Sequence, residues 1–395
     1  MLALRVLRQA LAVVVTVVLV RVLSQEEFGR YQFIVTVAGL CCAFTLPGMQ
    51  RAIIQSVARG HAGTFTAGTR LTLRFSFLGA AVLLAVAAAS LFAGLREQAW
   101  AFAIAGVLFP AAYGLNQWQS LQIGKRDFRS NTLRSSAAVI VSSLALIAAG
   151  LTGHQSLPVL VTAAFGVLAV QNVYQQHRAA RSVGPDETVE SGSIAYGLRS
   201  SLWEGINILA NWIDRLFLFA LGSPHLLAAY AVADRIPEVI KANMNDAMFV
   251  LIPRFARQEG YTRRLARRFN LIGAGAAVLI IGFALVIVPW LIPLLYTDGY
   301  QESILLCQLL LVSIAVHCFA IVKNAYIGAK LDVASVRSIT IGSSIVRIVT
   351  SAVLVWRFGA LGAAISTIVY RLATLGFVQY CMRKYRGGQD DAARP

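Results

Sequence analysis

Charged side chains are scarce in this sequence. Asp, Glu, Lys and Arg make up 13% of the 395 residues, about half the roughly 25% of an ordinary soluble domain. With so few charges and 57% hydrophobic residues, a folded chain cannot cover its surface with polar groups, so lipid must be the solvent for much of it. Acidic residues are scarcer still, 18 against 35 Lys and Arg. The basic excess is spread over many short segments between apolar runs rather than gathered in one patch, which argues against a nucleic-acid interface. There are only five cysteines. Cys41, Cys42, Cys307 and Cys318 sit in apolar runs and Cys381 closes the last one, without metal-ligand spacing or a disulfide framework, so they read as packing residues. The longest polar interval, from about Gln175 to Arg199, is too short to bury a core of its own. The sequence has no P-loop, no H-E-x-x-H and no G-x-S-x-G. Neither an enzyme nor a bound cofactor is expected.

What is present is a series of apolar runs of bilayer length. About 20 apolar residues cross a membrane as a helix. That ruler predicts spans at Leu4–Leu23, Tyr31–Met49, Leu71–Leu91, Trp100–Leu121, Ser135–Leu151 and Leu157–Tyr174. A second set follows at Ser200–Leu221, Leu226–Ile252, Asn270–Leu295, Ile304–Val322, Ser338–Val355 and Ala360–Cys381. The first run follows Arg5 and Arg8 as a signal peptide would, but without a small-x-small cleavage site, and reads as a retained span. Alternate connecting segments are strongly basic, for example Arg51, Arg59, Arg70 and Arg74, or Arg263, Arg264, Arg267 and Arg268. The others hold only Arg21, Arg30, Arg96 and Arg357. By the positive-inside rule both termini are cytoplasmic. His154 and His225 fall in short outer loops and form no constellation.

The two halves echo each other. RVLSQEEFGRYQFIVTV (Arg21–Val37) resembles FALGSPHLLAAYAVADRI (Phe219–Ile236), and IGKRDFRSNTLRS (Ile123–Ser135) resembles IGAKLDVASVRS (Ile327–Ser338). Each pair falls at the same junction counted within its half. Six helices per copy insert in the same direction, related by an axis along the membrane normal. The expected architecture is therefore an all-α, polytopic membrane protein of about twelve transmembrane helices. It would form two six-helix bundles around a central cavity: an N-lobe over 1–175, a cytoplasmic linker over 176–199, a C-lobe over 200–382 and a cytoplasmic tail over 383–395.

Ionisable groups within spans are costly and mark candidate sites. Most lie in the second half. Ser200, Glu204, Asn207, Asn211 and Asp214–Arg215 recur at steps of three or four on the seventh helix, which places them on one face. Asp234–Arg235, Glu238 and Lys241 repeat the pattern on the eighth. Thr340, Ser343, Arg347 and Thr350 stripe the eleventh, and Thr367, Arg371 and Thr374 the twelfth. Asp214, Arg215, Asp234 and Arg235 can pair across neighbouring helices and lock them together. Lys241, Arg347 and Arg371 have no obvious acidic partner at their depth and are expected to line a cavity suited to an anion. Arg215 and Arg235 could assist them, and Asp214, Asp234 and Glu204 could couple ions or serve as structural partners. The amides of Asn116, Gln117, Asn207 and Asn211 suit sugar hydroxyls, although such groups more often join helices. His317 reads as a lone core histidine.

The stretches VLSQEEFGRYQFIVTVAGL and PGMQRAIIQSVAR resemble the opening of the polysaccharide-transport branch of the multidrug/oligosaccharidyl-lipid/polysaccharide flippase superfamily. NWIDRLFLFALGSPHLLAAYAVADRI resembles that branch's seventh and eighth helices. Pro253-Arg254-Phe255, IGAKLDV and FGALGAA are similar in the same sense, and order and spacing agree along essentially the whole chain. The resemblance implies a flippase of the bacterial inner membrane. It would move an undecaprenyl-pyrophosphate-linked oligosaccharide to the outer leaflet by alternating access, for O-antigen, capsule or exopolysaccharide. Its implied partners are that lipid-linked glycan, membrane lipid, and glycan polymerase or chain-length machinery. The alternatives are a multidrug or small-cation exporter of the same superfamily, whose site should be acidic and aromatic, and a membrane glycan polymerase or ligase, which should carry a large outer loop.

Overall fold

The computed structural model describes residues 2–153, 155–184, 187–257, 263–330 and 332–390; His154 and the last five residues of the tail lie outside them. Every element among the described residues is helical. The chain divides into two compact units, Met1–Trp212 and Ile213–Pro395.

Unit 1 contains α1 (Leu2–Val22), α2 (Gln25–Cys41), α3 (Pro47–Ala58), α4 (Gly63–Phe92), α5 (Arg96–Phe109), α6 (Trp118–Gly124), α7 (Phe128–Leu151), α8 (Leu157–Val161), α9 (Val167–Arg181) and most of α10 (Ser193–Phe217). A capping box starts α2: Ser24 caps the Glu27 N–H, and the Glu27 carboxylate accepts from the Ser24 N–H at 2.9 Å. Wide π-helical turns at Pro110–Gly114 and Thr162–Gly166 interrupt two of the spans. Such turns displace carbonyls from their normal partners, and a bilayer supplies no water to replace them. Side chains do so instead. Asn172 donates to the Ala112 carbonyl at 2.7 Å, and Ser142 donates to the Ala164 carbonyl at 3.2 Å. The Trp118 indole N–H then donates to the Asn172 side-chain oxygen at 2.9 Å. The core of this unit gathers Met49, Ile53, Phe65, Trp118 and Leu121, with Tyr196 and Leu198 of α10 packed against it. Gly48 permits that approach, since a Cβ there would run into the backbone of Ser200 and Ser201.

Unit 2 contains the end of α10, α11 (Pro224–Arg257), α12 (Arg263–Val286), α13 (Val288–Leu295), α14 (Glu302–Ala329) and α15 (Val333–Asp390). The long helix α14 is apolar on all sides and packs against α11, α12 and α15. Ser303 donates to the Ala229 carbonyl at 2.8 Å and Gln308 to the Ala284 carbonyl at 3.1 Å. These bonds join helices where apolar contact alone gives no preference over lipid. The element α15 is two helices joined at Gly359, whose backbone has φ 56° and ψ −131°. Hydrogen bonds between the Ser366 hydroxyl and those of Thr350 and Ser351, at 2.9 and 2.8 Å, hold the two arms as an antiparallel hairpin.

Eight stretches are long and apolar enough to cross a bilayer. The last, Val333–Arg383, contains both arms of the hairpin. Helices α1, α10 and α11 also have crossing length, at 21, 25 and 34 residues. The described chain thus has about twelve helices of membrane length, and it is a multi-pass, all-α membrane protein. Within the interval 176–199, α9 continues to Arg181 and α10 starts at Ser193; an apolar-length criterion stops where side chains turn polar, but backbone hydrogen bonding does not.

Gly359 generates a prediction. A side chain in that conformation costs about 1–3 kcal/mol, so Gly359→Ala should lower the thermal midpoint in detergent. Gly275→Ala, at a helical glycine with open space around it, should leave the midpoint unchanged or slightly raised.

Candidate functional site

Unit 2 buries a set of charged side chains. Asp214, 1% exposed, lies near the end of α10, where it accepts from the Tyr230 hydroxyl of α11 at 2.9 Å. It also accepts from the Arg347 guanidinium of α15 at 3.0 Å. Arg347 therefore has an acidic partner, contrary to expectation; the two are 133 residues apart, and no local spacing signals the pair. Beside them Arg215 of α10 is paired with Asp234 of α11.

Tyr370 links the two buried arginines of the hairpin. The Arg347 and Arg371 guanidinium carbons lie 5.0 and 5.1 Å from its ring centroid, within cation–π range. Arg371, 6% exposed, reaches His317 of α14, with Nη1 3.3 Å from Nδ1. His317 is thus not a lone core histidine but the neighbour of a buried cation. Arg371 has no carboxylate among its hydrogen-bond and ion-pair partners in the described residues, and its Nε makes no hydrogen bond. Lys241 of α11 has Arg371, Arg347, Asp234 and Glu238 as its charged neighbours. Arg235 lies at the margin and pairs with Glu238 at 3.0 Å.

With Arg235 and Glu238 at its margin, the cluster among the described residues holds five cations, Arg215, Arg235, Lys241, Arg347 and Arg371, against three carboxylates, Asp214, Asp234 and Glu238. Thr367, Thr350, Ser351 and Ser366 add hydroxyls along the facing arms of α15. Tyr230 and Tyr370 escaped selection as site residues in the sequence. Their signals were slight: Tyr230 stands one turn before Asp234, and Tyr370 immediately precedes Arg371.

The other candidates lie elsewhere. Glu204 belongs to unit 1 and accepts from Arg51 at 2.6 Å. Asn211 donates to Asn207 on the same helix, at 2.8 Å to its carbonyl. Gln117 is fully buried, donates to Thr72 at 3.4 Å and accepts from Ser120 at 3.2 Å. That is a packing role in this structure rather than an exposed sugar contact. Asn116 has a buried side-chain oxygen without a hydrogen-bond partner. Among the described residues no group of His, Cys, Asp and Glu could hold a metal ion.

Residues 1–259 match the family model described as "Polysaccharide biosynthesis protein". The chain belongs to this polysaccharide biosynthesis family. No curated protein matches it. Solved structures share its fold at low identity. The lipid II flippase MurJ in an inward closed conformation aligns with a TM-score of 0.64 at 9% identity, covering 96% of this chain and 87% of that one. A transporter of the MOP superfamily from Pyrococcus furiosus, described as having a binding pocket of reverse polarity, aligns with a TM-score of 0.65 at 12% identity, covering 97% and 94%. An outward-facing multidrug resistance MATE transporter of the same superfamily gives 0.63 at 15%, covering 96% and 93%. The family member described here thus has the fold of MOP superfamily transporters.

The geometry separates two kinds of arginine. Removing one partner from a buried ion pair costs about 3–5 kcal/mol, while replacing both with apolar residues is often neutral. Arg347→Ala should therefore sharply lower the thermal midpoint, and Asp214→Leu combined with Arg347→Met should recover most of the loss.

Proposed function

We propose that this protein is a flippase for lipid-linked oligosaccharides. It carries a glycan repeat unit on undecaprenyl pyrophosphate from the cytoplasmic to the outer leaflet of the inner membrane, for O-antigen, capsule or exopolysaccharide synthesis. The observation that carries this reading is the excess of buried cations over carboxylates in unit 2. Unbalanced charge in a low-dielectric setting is expensive, and a dianionic pyrophosphate would balance it. Lys241 and Arg371 are the primary ligands in this proposal, because among the described residues neither forms an ion pair with a carboxylate. Arg347, Arg215 and Arg235 add to the field while keeping their acidic partners. Family membership favours a glycan-bearing cargo, and the same positive excess disfavours the cationic drugs of the runner-up reading.

Transport proceeds by alternating access. The cluster is open first to the cytoplasm and then to the outside, while the polyprenyl tail stays in lipid. Asp214, Asp234 and Glu204 each hold an arginine, so ion coupling through them would require those pairs to break. The membrane potential offers a simpler drive: moving an anion outward across an inside-negative membrane releases about 2.3 kcal/mol per charge per 100 mV, and a pyrophosphate carries two. The basic segments place both termini in the cytoplasm on this reading. Glycan polymerase and chain-length machinery would act on the delivered substrate.

The test uses purified protein in vesicles and undecaprenyl-pyrophosphate-linked oligosaccharide, with translocation read by accessibility of the glycan to an added lectin. Lys241→Ala and Arg371→Ala should each slow translocation by about tenfold or more, with insertion and thermal midpoint retained. Normal rates from both variants would refute the assignment.

A further inference from the structure

Two adjoining cavities lie at the end of unit 2 where α12 begins and α14 and α15 finish. A cavity of about 910 Å³ opens between the two arms of α15, with walls that include Ala334, Ala373, Phe377 and Tyr380. Its walls are mostly apolar, with Ser335, Ser338 and Arg383 as the polar members. Adjoining it is a cavity of about 450 Å³ with the opposite character, lined by Asn270, Lys323, Gln379 and Arg383. Gly376, Tyr380 and Arg383 line both. The space beside Gly376 is open, and a Cβ there would meet nothing within 4 Å. Lys323 on α14 is buried, only 6% exposed, yet contributes to the wall of the polar cavity.

An apolar furrow joined to a basic chamber matches one kind of ligand: an amphiphile with an anionic head and long apolar chains. Basic pockets between transmembrane helices on the cytoplasmic side take up anionic lipid heads. Arg264, Arg267, Arg268, Lys330 and Arg337 lie in the chain segments at this same end, which the positive-inside rule assigns to the cytoplasmic leaflet. The nearby Asp332 carboxylate does not oppose an anion freely, because it accepts from the Ser335 N–H and hydroxyl at 3.1 and 2.7 Å and caps α15. The chamber has the scale of a phosphoglycerol head rather than of an oligosaccharide.

We infer that this is a site for an anionic glycerophospholipid of the inner leaflet, with its head phosphate on Lys323 and Arg383 and its acyl chains in the α15 furrow. Unit 1 carries a furrow of similar size, about 920 Å³, between α7 and α8–α9, with walls that include Val141, Val167, Val170 and Tyr174. It occupies the corresponding place in the six-helix repeat. The recurrence supports a chain-binding role for both furrows, and the Lys323 chamber supplies head selectivity to the second. This site is separate from the Lys241–Arg371 cluster and does not depend on what that cluster carries.

Native mass spectrometry of the delipidated, full-length protein tests the inference. The added probes are phosphatidylglycerol, phosphatidylethanolamine and undecaprenyl phosphate. Phosphatidylglycerol should be retained in clear preference to the other two. Arg383→Gln and Lys323→Gln should each lower its retention by about fivefold without changing that of phosphatidylethanolamine. Gly376→Leu, which fills that open space from an exposed helical position, should lower retention of both phospholipids, and it keeps the test valid if loss of the buried Lys323 charge impairs folding. Equal retention of the two phospholipids, a preference for undecaprenyl phosphate, or indifference to Arg383→Gln and Gly376→Leu would overturn the inference.

Discussion

A carboxylate as deeply buried as Asp214 survives in a membrane protein only when other groups satisfy it. Here Tyr230 and Arg347 do so, and the rest of the unit 2 cluster depends on that arrangement. The pair ties the end of α10 to the first arm of α15, so that chain segments far apart in sequence become neighbours. It also holds the Arg347 guanidinium near Tyr370, the ring that Arg371 approaches at a similar distance. Arg371 continues the line to His317 on α14. One line of contacts, Tyr230–Asp214–Arg347–Tyr370–Arg371–His317, thereby reaches five helices, counting the two arms of α15 separately. The parallel Arg215–Asp234 pair repeats the link between α10 and α11.

These pairs neutralise only part of the charge. Among the described residues each carboxylate accounts for one arginine, and Lys241 and Arg371 form no ion pair of their own. Structural ion pairs explain why helices seven, eight and eleven stay together, but they do not explain two further cations placed beside them. A site that selects an anion does, and its paired arginines then act as a rigid frame rather than as mobile ligands. The second site of unit 2 follows a different logic. Lys323 and Arg383 stand at the membrane boundary beside an apolar furrow, where a lipid head can be met without leaving the leaflet.

Much of the fold was legible because bilayer thickness imposes a length on every span and charge bias alternates between connecting segments. The polar stripes of the seventh, eighth, eleventh and twelfth helices were legible for the same reason, since charges are conspicuous against apolar runs. Partner choice was harder. Arg215 and Asp234 lie on consecutive helices, where pairing can be anticipated from the chain. Arg347 and Asp214 do not, and Arg347 appeared partnerless until the hairpin at Gly359 brought it back against α10. His317 was misread similarly, because its neighbour is 54 residues away. Gln117 bonds to Thr72 of another helix, in keeping with the helix-joining role that amides within spans more often have. Helix ends are not legible from hydropathy, since α9 and α10 run on into polar sequence.

The central claim is that the cationic excess around Lys241 and Arg371 receives a pyrophosphate. Photo-crosslinking tests it most directly, using undecaprenyl pyrophosphate with a photoreactive group on its head, followed by mapping of the labelled peptides. The account predicts labelling of α11 near Lys241 and of α15 near Arg371, suppressed by excess unlabelled pyrophosphate lipid. Labelling confined to other helices, or undiminished by that competitor, would contradict it.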